Sequence, residues 1–327
     1  MTVDLLSFSR PRGIDEALRI LGRDRQAIPV AGSTDLVTLL RDGIRATSHL
    51  VDLNGLGLDE IHWLPGGGVR IGALVRNAVA DTRLRRAYPV LAEALRSGAS
   101  PQIRNRATFG GNVLQQTRCT YYRLPEFACN RRSPGSGCAA IQGDSSRHAI
   151  FGASNQCVAV HPSDLSVALQ ALEAVVLAQS TAGRRRIPVD AFFRLPGTTP
   201  HVASELRPGE LITGIELPAS DHAATSRYVK FRERTSYAFA LVSAAVAIEV
   251  RDGVVRTARV ALGGVAAKPW RSTAAEQALT GNRLTEETIT AAGEAAADGA
   301  RPLRHNKHKV ELVKRVVRTA LTDLEQA

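Results

Sequence analysis

All four cysteines of this 327-residue chain lie between positions 119 and 157. The residues between them are rich in glycine, serine and proline, a composition typical of a loop that something must hold in shape. Two disulfides would need an oxidising compartment, and the rest of the chain is unlike a disulfide-dense scaffold. Zinc sites usually contain a Cys-x-x-Cys knuckle, which is absent here. Four thiolates on a wrapping loop also suit an iron–sulfur cluster. Spacing alone leaves a cluster, zinc and four unrelated buried thiols open.

The chain carries a formal net charge of +11, which favours an acidic partner or an anionic ligand. Nucleic acid is disfavoured, because the basic residues are scattered apart from 184–186 and 301–318 and aromatic residues make up only 5% of the chain. No apolar stretch is long enough for a transmembrane helix. The first residues, Met1 to Ser7, do not resemble an export signal.

A short apolar stretch, 27–31, is followed by a turn of small residues and then by leucines at helical spacing. This order predicts a strand, a turn and a helix start, an arrangement that presents backbone N–H groups to an anion. The turn is neither Gly-x-Gly-x-x-Gly nor a P-loop. An ordinary N-capped helix explains the same pattern.

A second turn places Gly110 and Gly111 after a basic, polar run. Adjacent glycines let the backbone approach a ligand closely, and Thr108 and Asn112 can bond phosphate or ribityl oxygens. A hairpin turn is the alternative. Beyond the last cysteine, Ser163 or Asp164 is expected to cap a helix, and neighbouring His161 is given no catalytic role.

Together these stretches resemble the FAD-binding subunit of the molybdenum hydroxylases, the xanthine dehydrogenase and carbon monoxide dehydrogenase flavoprotein family. The segments that carry the resemblance are Val30–Leu36, Gln102–Val113, His161–Leu169 and Ala261–Arg271. The cysteine loop resembles the iron–sulfur insertion of flavoprotein subunits in bacterial periplasmic-type aldehyde oxidoreductases, and a comparable insertion occurs in hydroxybenzoyl-CoA reductases. The loop is matched at Arg118–Cys119, Cys129–Arg132, Pro134–Ala140, His148–Ala149 and Cys157.

The resemblance implies bound FAD and a [4Fe-4S] cluster. The cluster ligands would be Cys119, Cys129, Cys138 and Cys157. The implied FAD contacts are Ala31, Gly32, Ser33, Thr34, Asp35, Thr108, Gly110, Gly111, Asn112, Ser163, Asp164, Lys230 and Tyr237. Lys230 is expected near the pyrimidine edge of the flavin, where a cation stabilises the anionic reduced ring. Tyr237 stands where many relatives carry an acidic residue, and this departure puts nicotinamide chemistry in doubt. A strand with alternate solvent-facing side chains explains Lys230 and Tyr237 equally well.

The fold implied is α+β, a two-lobed FAD-binding domain of the vanillyl-alcohol oxidase type followed by a C-terminal domain of sheet and helices. Lobe 1 would span residues 1–60, and lobe 2 would span 61–223 with the iron–sulfur loop at 115–160. The C-terminal domain would span 224–327. Within it, Asp252-Gly253 predicts the turn of a hairpin, and the apolar spacing from Val310 to Leu321 predicts a closing helix.

The function implied is electron transfer within a heterotrimeric molybdenum-containing aldehyde, or related, oxidoreductase, with no catalytic residue in this chain. A molybdenum-cofactor large subunit would hydroxylate the substrate, and a [2Fe-2S] small subunit would pass electrons to FAD here. An external acceptor, ferredoxin-like or quinone-type, would remove them. The expected location is the cytoplasm, or the periplasm after export of the folded complex on a partner's signal. A zinc-stapled basic binding module and a stand-alone flavin oxidase are the alternatives.

Overall fold

The computed structural model describes residues 6–79 and 81–326. Its strands form three sheets that follow one another along the chain. The prediction of no export signal concerns Met1 to Ser7, and of this stretch only Leu6 and Ser7 belong to the described residues. Among the described helices, none combines the length and the apolar character needed to cross a membrane.

The first sheet is parallel, with its strands in the order β1-β3-β2. Helix α1 has two acidic residues in its first turn and Arg23 in its last, which complements the helix dipole. The helix buries Ala17, Leu18 and Leu21 beside Val51 of the sheet. The elements of this lobe are β1 (Ser7–Ser9), α1 (Ile14–Arg23), β2 (Ala27–Val30), α2 (Leu36–Arg41) and β3 (His49–Asp52).

The second sheet is antiparallel, in the order β4-β5-β8-β6-β7. Its strands are β4 (Ile61–Trp63), β5 (Val69–Gly72), β6 (Val175–Ser180), β7 (Gly183–Pro188) and β8 (Leu211–Leu217). The arginine run 184–186 lies on the edge strand β7, where charged side chains discourage pairing with another chain. Arg185 and Arg186 of this run pair with Glu210 and Glu216.

Most of the helices of this lobe, together with the cysteine loop, lie between β5 and β6. The helices of the second lobe are α3 (Thr82–Ala87), α4 (Pro89–Ser97), α5 (Pro101–Arg106), α6 (Phe109–Val113), α7 (Thr120–Arg123), α8 (Ala139–Gln142), α9 (Asp164–Ala171) and α10 (Val189–Phe192). Every residue of α9 is buried, because the helix packs against α4 on one side and against strands of the third sheet on the other. Helix α9 thus joins the second lobe to the C-terminal part of the chain.

The third sheet is antiparallel, in the order β12-β11-β10-β9, and helices cover it. Its elements are β9 (Ser226–Phe231), β10 (Val242–Arg251), β11 (Val254–Gly263), β12 (Trp270–Arg271), α11 (Thr273–Leu279), α12 (Glu286–Ala295) and α13 (His308–Glu325). The predicted hairpin is correct, since Asp252 and Gly253 both have positive φ between β10 and β11. The predicted closing helix is also correct: α13 buries Val313, Val317 and Leu321.

Candidate functional site

The first glycine turn joins β2 to α2, as the hydrophobic pattern predicts. A Cβ atom built on Gly32 would lie 2.1 Å from the carbonyl oxygen of Arg106. The turn therefore meets the end of α5 backbone to backbone, and only glycine allows that approach. Ser33, the next residue, has a φ of 65°. Such a left-handed conformation is costly for serine and is found mainly where a site requires a special backbone shape.

The second glycine turn begins a helix and does not form a hairpin. Thr108 is the N-cap of α6, and its Oγ1 accepts a hydrogen bond from the backbone N–H of Gly111 (3.2 Å). The N–H of Gly110 donates to the carbonyl of Ala73 (2.8 Å), and a Cβ on Gly110 would lie 3.1 Å from Cβ of Ala73. The Oδ1 of Asn112 accepts from the hydroxyl of Ser163 (2.7 Å), which also caps α9.

A cavity of about 1140 Å³ lies between these turns. Every residue that the sequence predicts to contact FAD lines it, together with one of the four cysteines, Cys119. Buried Asn77 is in the same wall, and its Oδ1 has no partner among the described residues. The cavity exceeds the common range for small ligands, about 300–1,000 Å³, and suits a dinucleotide. Two backbone turns, an orphan amide oxygen and this volume therefore fit FAD.

Cationic side chains outnumber carboxylates around this cavity. Sequence reasoning missed most of the arginines because they lie outside the glycine motifs and carry no signal of their own. The cationic lining residues are Arg45, Arg104, Arg118, Arg123, Arg147, Arg207, Lys230 and Arg234. The acidic ones are Asp35, Asp42, Asp164, Glu210 and Glu233. An excess of positive charge favours a ligand with phosphate groups.

Lys230 and Asp164 form a buried ion pair in the cavity wall. The Nζ of Lys230 lies 2.8 Å from Oδ2 of Asp164 and 3.0 Å from the carbonyl of Ser97. The hydroxyl of Tyr228 donates to Oδ1 of Asp164 (2.5 Å), and burial together with the Asp164 charge raises the pKa of Tyr228. Lys230 thus lies in the cavity wall paired with a carboxylate that the sequence did not pair with it.

Tyr237 lies on the segment between β9 and β10. Its φ is 52°, and its side chain is 56% exposed. The backbone carbonyl of Tyr237 accepts a hydrogen bond from Nε of Arg234 (3.0 Å). Phe239, also exposed, lies under the guanidinium of Arg118, with 4.9 Å between the guanidinium carbon and the ring centre. Both aromatic rings line the cavity and remain open to contact a ligand.

Asp35, at the start of α2, connects the first glycine turn to the cysteine loop. Its Oδ1 is within ion-pair distance of Arg118 and of Nη2 of Arg123 (2.9 Å), and its Oδ2 accepts from the N–H of Gln116 (2.8 Å). The carboxylate is mostly buried. Asp35 therefore holds the residues on both sides of Cys119 against the turn.

Replacing Asp35 with asparagine removes the charge that both arginines share. We expect the free energy of unfolding to fall by about 2 kcal/mol, because breaking a partly buried pair leaves its partners uncompensated. Denaturant unfolding measures the change. Asp42→Asn, at the other end of α2, is the control. Among the described residues Asp42 pairs only with exposed Arg41, so its replacement should cost less than about 1 kcal/mol. Equal losses in the two variants would contradict this role for Asp35.

The four cysteines come together on the loop as free thiols. Cys129 and Cys138 lie opposite each other in an isolated antiparallel bridge, and Cys119 packs against the apolar group that contains Cys129. Burial raises the pKa of Cys119 to about 12, and charge on Cys129 and Cys157 adds to the rise. Burial also raises the pKa of Cys157, and charge on Cys138 and Cys129 acts in the same direction. Each thiol is thus within electrostatic range of another.

No group of three or more His, Cys, Asp or Glu side chains within residues 6–79 and 81–326 has an arrangement that would hold a metal ion. Two nitrogen atoms nevertheless lie within hydrogen-bond distance of cysteine sulfurs. The backbone N–H of Ala159 lies 3.5 Å from Sγ of Cys157, and Nε2 of His148 lies 3.2 Å from Sγ of Cys119. Donors directed at sulfur stabilise thiolate ligands.

His161 lies half-buried in the cavity wall. Its ring lies 4.5 Å, centre to centre, from that of Phe193, and Nε2 is 3.1 Å from Oγ of Ser166. Burial, with help from Arg131 and Arg118, lowers the pKa of His161 from 6.5 to about 3. The ring is therefore neutral and fixed by packing, which gives it no acid–base role.

The low pKa of His161 predicts a loss of stability in acid. Between its ordinary pKa of 6.5 and about 3, the unfolded chain binds a proton that the folded chain excludes. The free energy of unfolding contributed by His161 therefore falls as the pH falls, by about 2 kcal/mol at about pH 5. Urea unfolding of the wild type and of His161→Gln at about pH 7 and about pH 5 measures it. Identical acid losses in both proteins would contradict the assignment.

Comparison with known proteins links these features to a family. A family model described as the FAD binding domain in molybdopterin dehydrogenase matches residues 4–220, and one described as the CO dehydrogenase flavoprotein C-terminal domain matches 227–324. The chain is 46% identical to PaoB, the FAD-binding subunit of an aldehyde oxidoreductase of Escherichia coli K12, over 90% of each chain. It is 27% identical to the carbon monoxide dehydrogenase medium chain of Hydrogenophaga pseudoflava, over 96% of this chain and 95% of that one.

Solved structures agree with the sequence comparison. Carbon monoxide dehydrogenase from Hydrogenophaga pseudoflava, in a form that lacks the Mo-pyranopterin moiety of its cofactor, superposes with a TM-score of 0.76 at 26% identity, and 98% of each chain is covered. Quinoline 2-oxidoreductase from Pseudomonas putida 86 has the same fold, with a TM-score of 0.74 over 100% of this chain and 99% of that one. The predicted α+β class, with an FAD-binding domain followed by a flavoprotein C-terminal domain, is confirmed.

Proposed function

The chain belongs to the FAD-binding medium subunits of the molybdenum hydroxylase family, and from this premise we infer that it transfers electrons within a molybdenum-containing aldehyde or related oxidoreductase. The observation that carries the inference is the single cavity in which both glycine turns and Cys119 meet. FAD bound in this cavity would lie next to Cys119, one of the four proposed cluster ligands. The similarity to the aldehyde oxidoreductase subunit favours an aldehyde as the substrate of the whole complex.

The two glycine turns and their neighbours would hold FAD. Backbone N–H groups of Gly32–Thr34 and of Gly110–Gly111 would bind its phosphates, and the side chains of Thr108, Asn112 and Ser163 would bind nearby oxygens. Bound FAD supplies a group that accepts two electrons singly, which suits a junction between iron–sulfur centres and an external acceptor. Lys230 would place a positive charge in the cavity wall. The exposed side chain of Tyr237 lines the same cavity and would shield the flavin ring from water where the two rings pack together.

Cys119, Cys129, Cys138 and Cys157 would bind a [4Fe-4S] cluster in this chain. Three observations support it: the four thiols share one loop, each is in electrostatic range of another, and the backbone N–H of Ala159 points at the sulfur of Cys157. The loop is also fastened to the first glycine turn through Asp35. Because Cys119 lines the cavity, the cluster would lie beside the FAD site.

The partners of this chain would be a large subunit with a molybdenum cofactor, which hydroxylates the substrate, and a small subunit with [2Fe-2S] centres. The acceptor would be external, ferredoxin-like or quinone-type. A net charge of +11 favours an acidic protein acceptor through electrostatic steering. The complex would work in the cytoplasm, or in the periplasm after export on a partner's signal.

The two alternatives make different demands on the structure. A basic binding module held together by zinc would not require the second glycine turn or a cavity of this size. A stand-alone flavin oxidase needs a substrate pocket and a catalytic base of its own. Two histidines of the cavity wall have strongly lowered pKa values, but His161 packs against Phe193 and His148 against Cys119, so neither is free to act as that base. The family match disfavours both.

Anaerobic addition of an aldehyde to the assembled complex tests the proposed function. We expect the flavin absorption to bleach in the complex and to stay unchanged in the isolated chain, because the isolated chain lacks the molybdenum subunit. Dithionite serves as the control, since it should bleach the flavin of both. Bleaching of the isolated chain by aldehyde would contradict the proposal and support the flavin oxidase.

A further inference from the structure

We propose that the groove between α3 and α4 is the docking site of the external electron acceptor, an acidic protein whose carboxylates bind Arg85, Arg86 and Arg96. The inference rests on the proposed function, because it takes an external acceptor as the partner. It adds the place on the surface where that partner binds, which the net charge of the whole chain does not indicate.

Three arginines surround this groove, which has a volume of about 300 Å³. Its lining residues are Thr82, Arg85 and Arg86 of α3 and Pro89, Ala92 and Arg96 of α4. The three arginines are exposed. The one acidic residue within the two helices, Glu93, pairs with Arg227 of the third sheet instead. No carboxylate of α3 or α4 therefore neutralises the groove.

The rest of the described chain does not neutralise it either. None of the ion pairs within residues 6–79 and 81–326 involves these three arginines. Exposed arginines elsewhere have partners, such as Glu216 for Arg186 and Glu205 for Arg194. Three like charges around one small groove repel one another, and a partner that brings carboxylates removes this repulsion.

The chemistry of the groove favours a protein over nucleic acid. A guanidinium group binds a carboxylate through two parallel hydrogen bonds, and the small residues between the arginines leave room for acidic side chains. Binding of single-stranded nucleic acid usually also needs aromatic rings on which bases stack. The tryptophan near these helices, Trp63, already packs against Arg83, with 3.8 Å between the guanidinium carbon and the ring centre, and stacks on Tyr88.

The groove lies next to the FAD cavity because both use the end of α4. Arg96 lines the groove, whereas Leu95 and Gly98 line the cavity. Consecutive Cα atoms are about 3.8 Å apart, so those of Arg96 and Gly98 are separated by less than about 8 Å. Nη1 of Arg104, in the cavity wall, donates to the carbonyls of Arg96 (3.2 Å) and Gly98 (2.7 Å) and fixes the backbone between them. A protein docked in the groove would therefore lie beside the FAD site.

Calorimetric titration of the assembled complex with an acidic ferredoxin tests the docking site. Both proteins are oxidised, so the measurement reports binding without electron transfer. In the groove variant, which combines Arg85→Gln, Arg86→Gln and Arg96→Gln, we expect the dissociation constant to rise at least about tenfold at low ionic strength. The difference from the wild type should shrink as salt is added, because salt screens exposed charges.

A second triple variant is the matched control. It combines Arg184→Gln, Arg301→Gln and Arg304→Gln, three exposed arginines that lie on other elements. The net charge of the chain falls by the same amount as in the groove variant, so general electrostatic attraction weakens equally. We expect the dissociation constant of the control to rise less than about threefold, since only long-range attraction is lost.

Each outcome decides the inference. Equal weakening in the two triple variants overturns it, because net charge alone would then attract the ferredoxin. Wild-type affinity in the groove variant, or no ferredoxin binding by the wild type, overturns it too. A groove variant that keeps its flavin but no longer assembles would place the groove against a subunit of the complex, which also contradicts the proposal. So does a single-stranded oligonucleotide whose binding alone depends on the groove.

Failure of the proposed function is a separate result. Reduction of the flavin by aldehyde is followed in the same wild-type complex. A flavin that aldehyde does not bleach would disprove the proposed function, whether or not the ferredoxin binds in the groove. A flavin that bleaches normally in both triple variants shows that the substitutions affect docking and not the transfer of electrons to FAD.

Discussion

Gly32→Ala is expected to abolish FAD binding while leaving the chain folded. The added methyl group would lie 2.1 Å from the carbonyl oxygen of Arg106, and the contact is with backbone on a helix end that cannot rotate away. Relief requires the two glycine turns to separate, which misaligns the N–H groups that would bind the phosphates. Loss of two charge-assisted hydrogen bonds, about 1.5–3 kcal/mol each, corresponds to at least a hundredfold weaker affinity. Flavin absorption after gel filtration, with added FAD titrated by fluorescence, measures the loss.

Gly13→Ala is the matched control for this substitution. A Cβ on Gly13 has no neighbour within 4 Å, and its backbone is extended. We expect this variant to hold as much flavin as the wild type. If Gly32→Ala binds FAD normally, the first turn is not part of the FAD site, even though it lines the cavity.

Lys230→Met is expected to lower the free energy of unfolding by about 3–5 kcal/mol. The side chains of Lys230 and Asp164 are only 3% and 8% exposed. Removing the ammonium leaves the carboxylate of Asp164 buried with the hydroxyl of Tyr228 as its remaining side-chain partner. An uncompensated buried charge is among the most costly defects that a single substitution can cause. Denaturant unfolding of the variant measures the loss.

Two further variants separate this cost from general damage. In Lys230→Met combined with Asp164→Asn, both charges are gone and the amide oxygen can still accept from Tyr228, so most of the stability should return. Lys314→Met removes a lysine that pairs with exposed Glu294 and should cost less than about 1 kcal/mol. A double variant no more stable than Lys230→Met would show that the lysine stem, and not its charge, matters here.

The sequence could predict the local elements of the site because their signals are short-range. The apolar run before Gly32 and the serine before Asp164 each mark the start of a helix, and the structure has helices there. One local alternative, the hairpin at Gly110-Gly111, is wrong because Thr108 caps a helix. The domain boundaries at 60 and 223 and the roles of individual site residues remain predictions.

The pairings between distant segments could not be predicted. Asp35 with Arg118 and Arg123, Asp164 with Lys230, and Lys309 with the backbone of His148 each join residues far apart in the chain. Nothing in the sequence marks one arginine among many as the partner of a given carboxylate, since the choice depends on how the lobes pack. Asp35 illustrates the consequence: the motif suggests a ligand contact, and the fold adds a structural contact to the cysteine loop.

The most direct test of the account is a count of flavin, iron, acid-labile sulfide and zinc in the anaerobically purified full-length chain, taken together with its visible spectrum. The account predicts about one FAD, four irons and four sulfides per chain, with the absorption of both groups in the spectrum. Zinc without flavin would contradict it. In that case the cysteines would staple a loop, and the basic surface would need a binding partner in place of an electron acceptor.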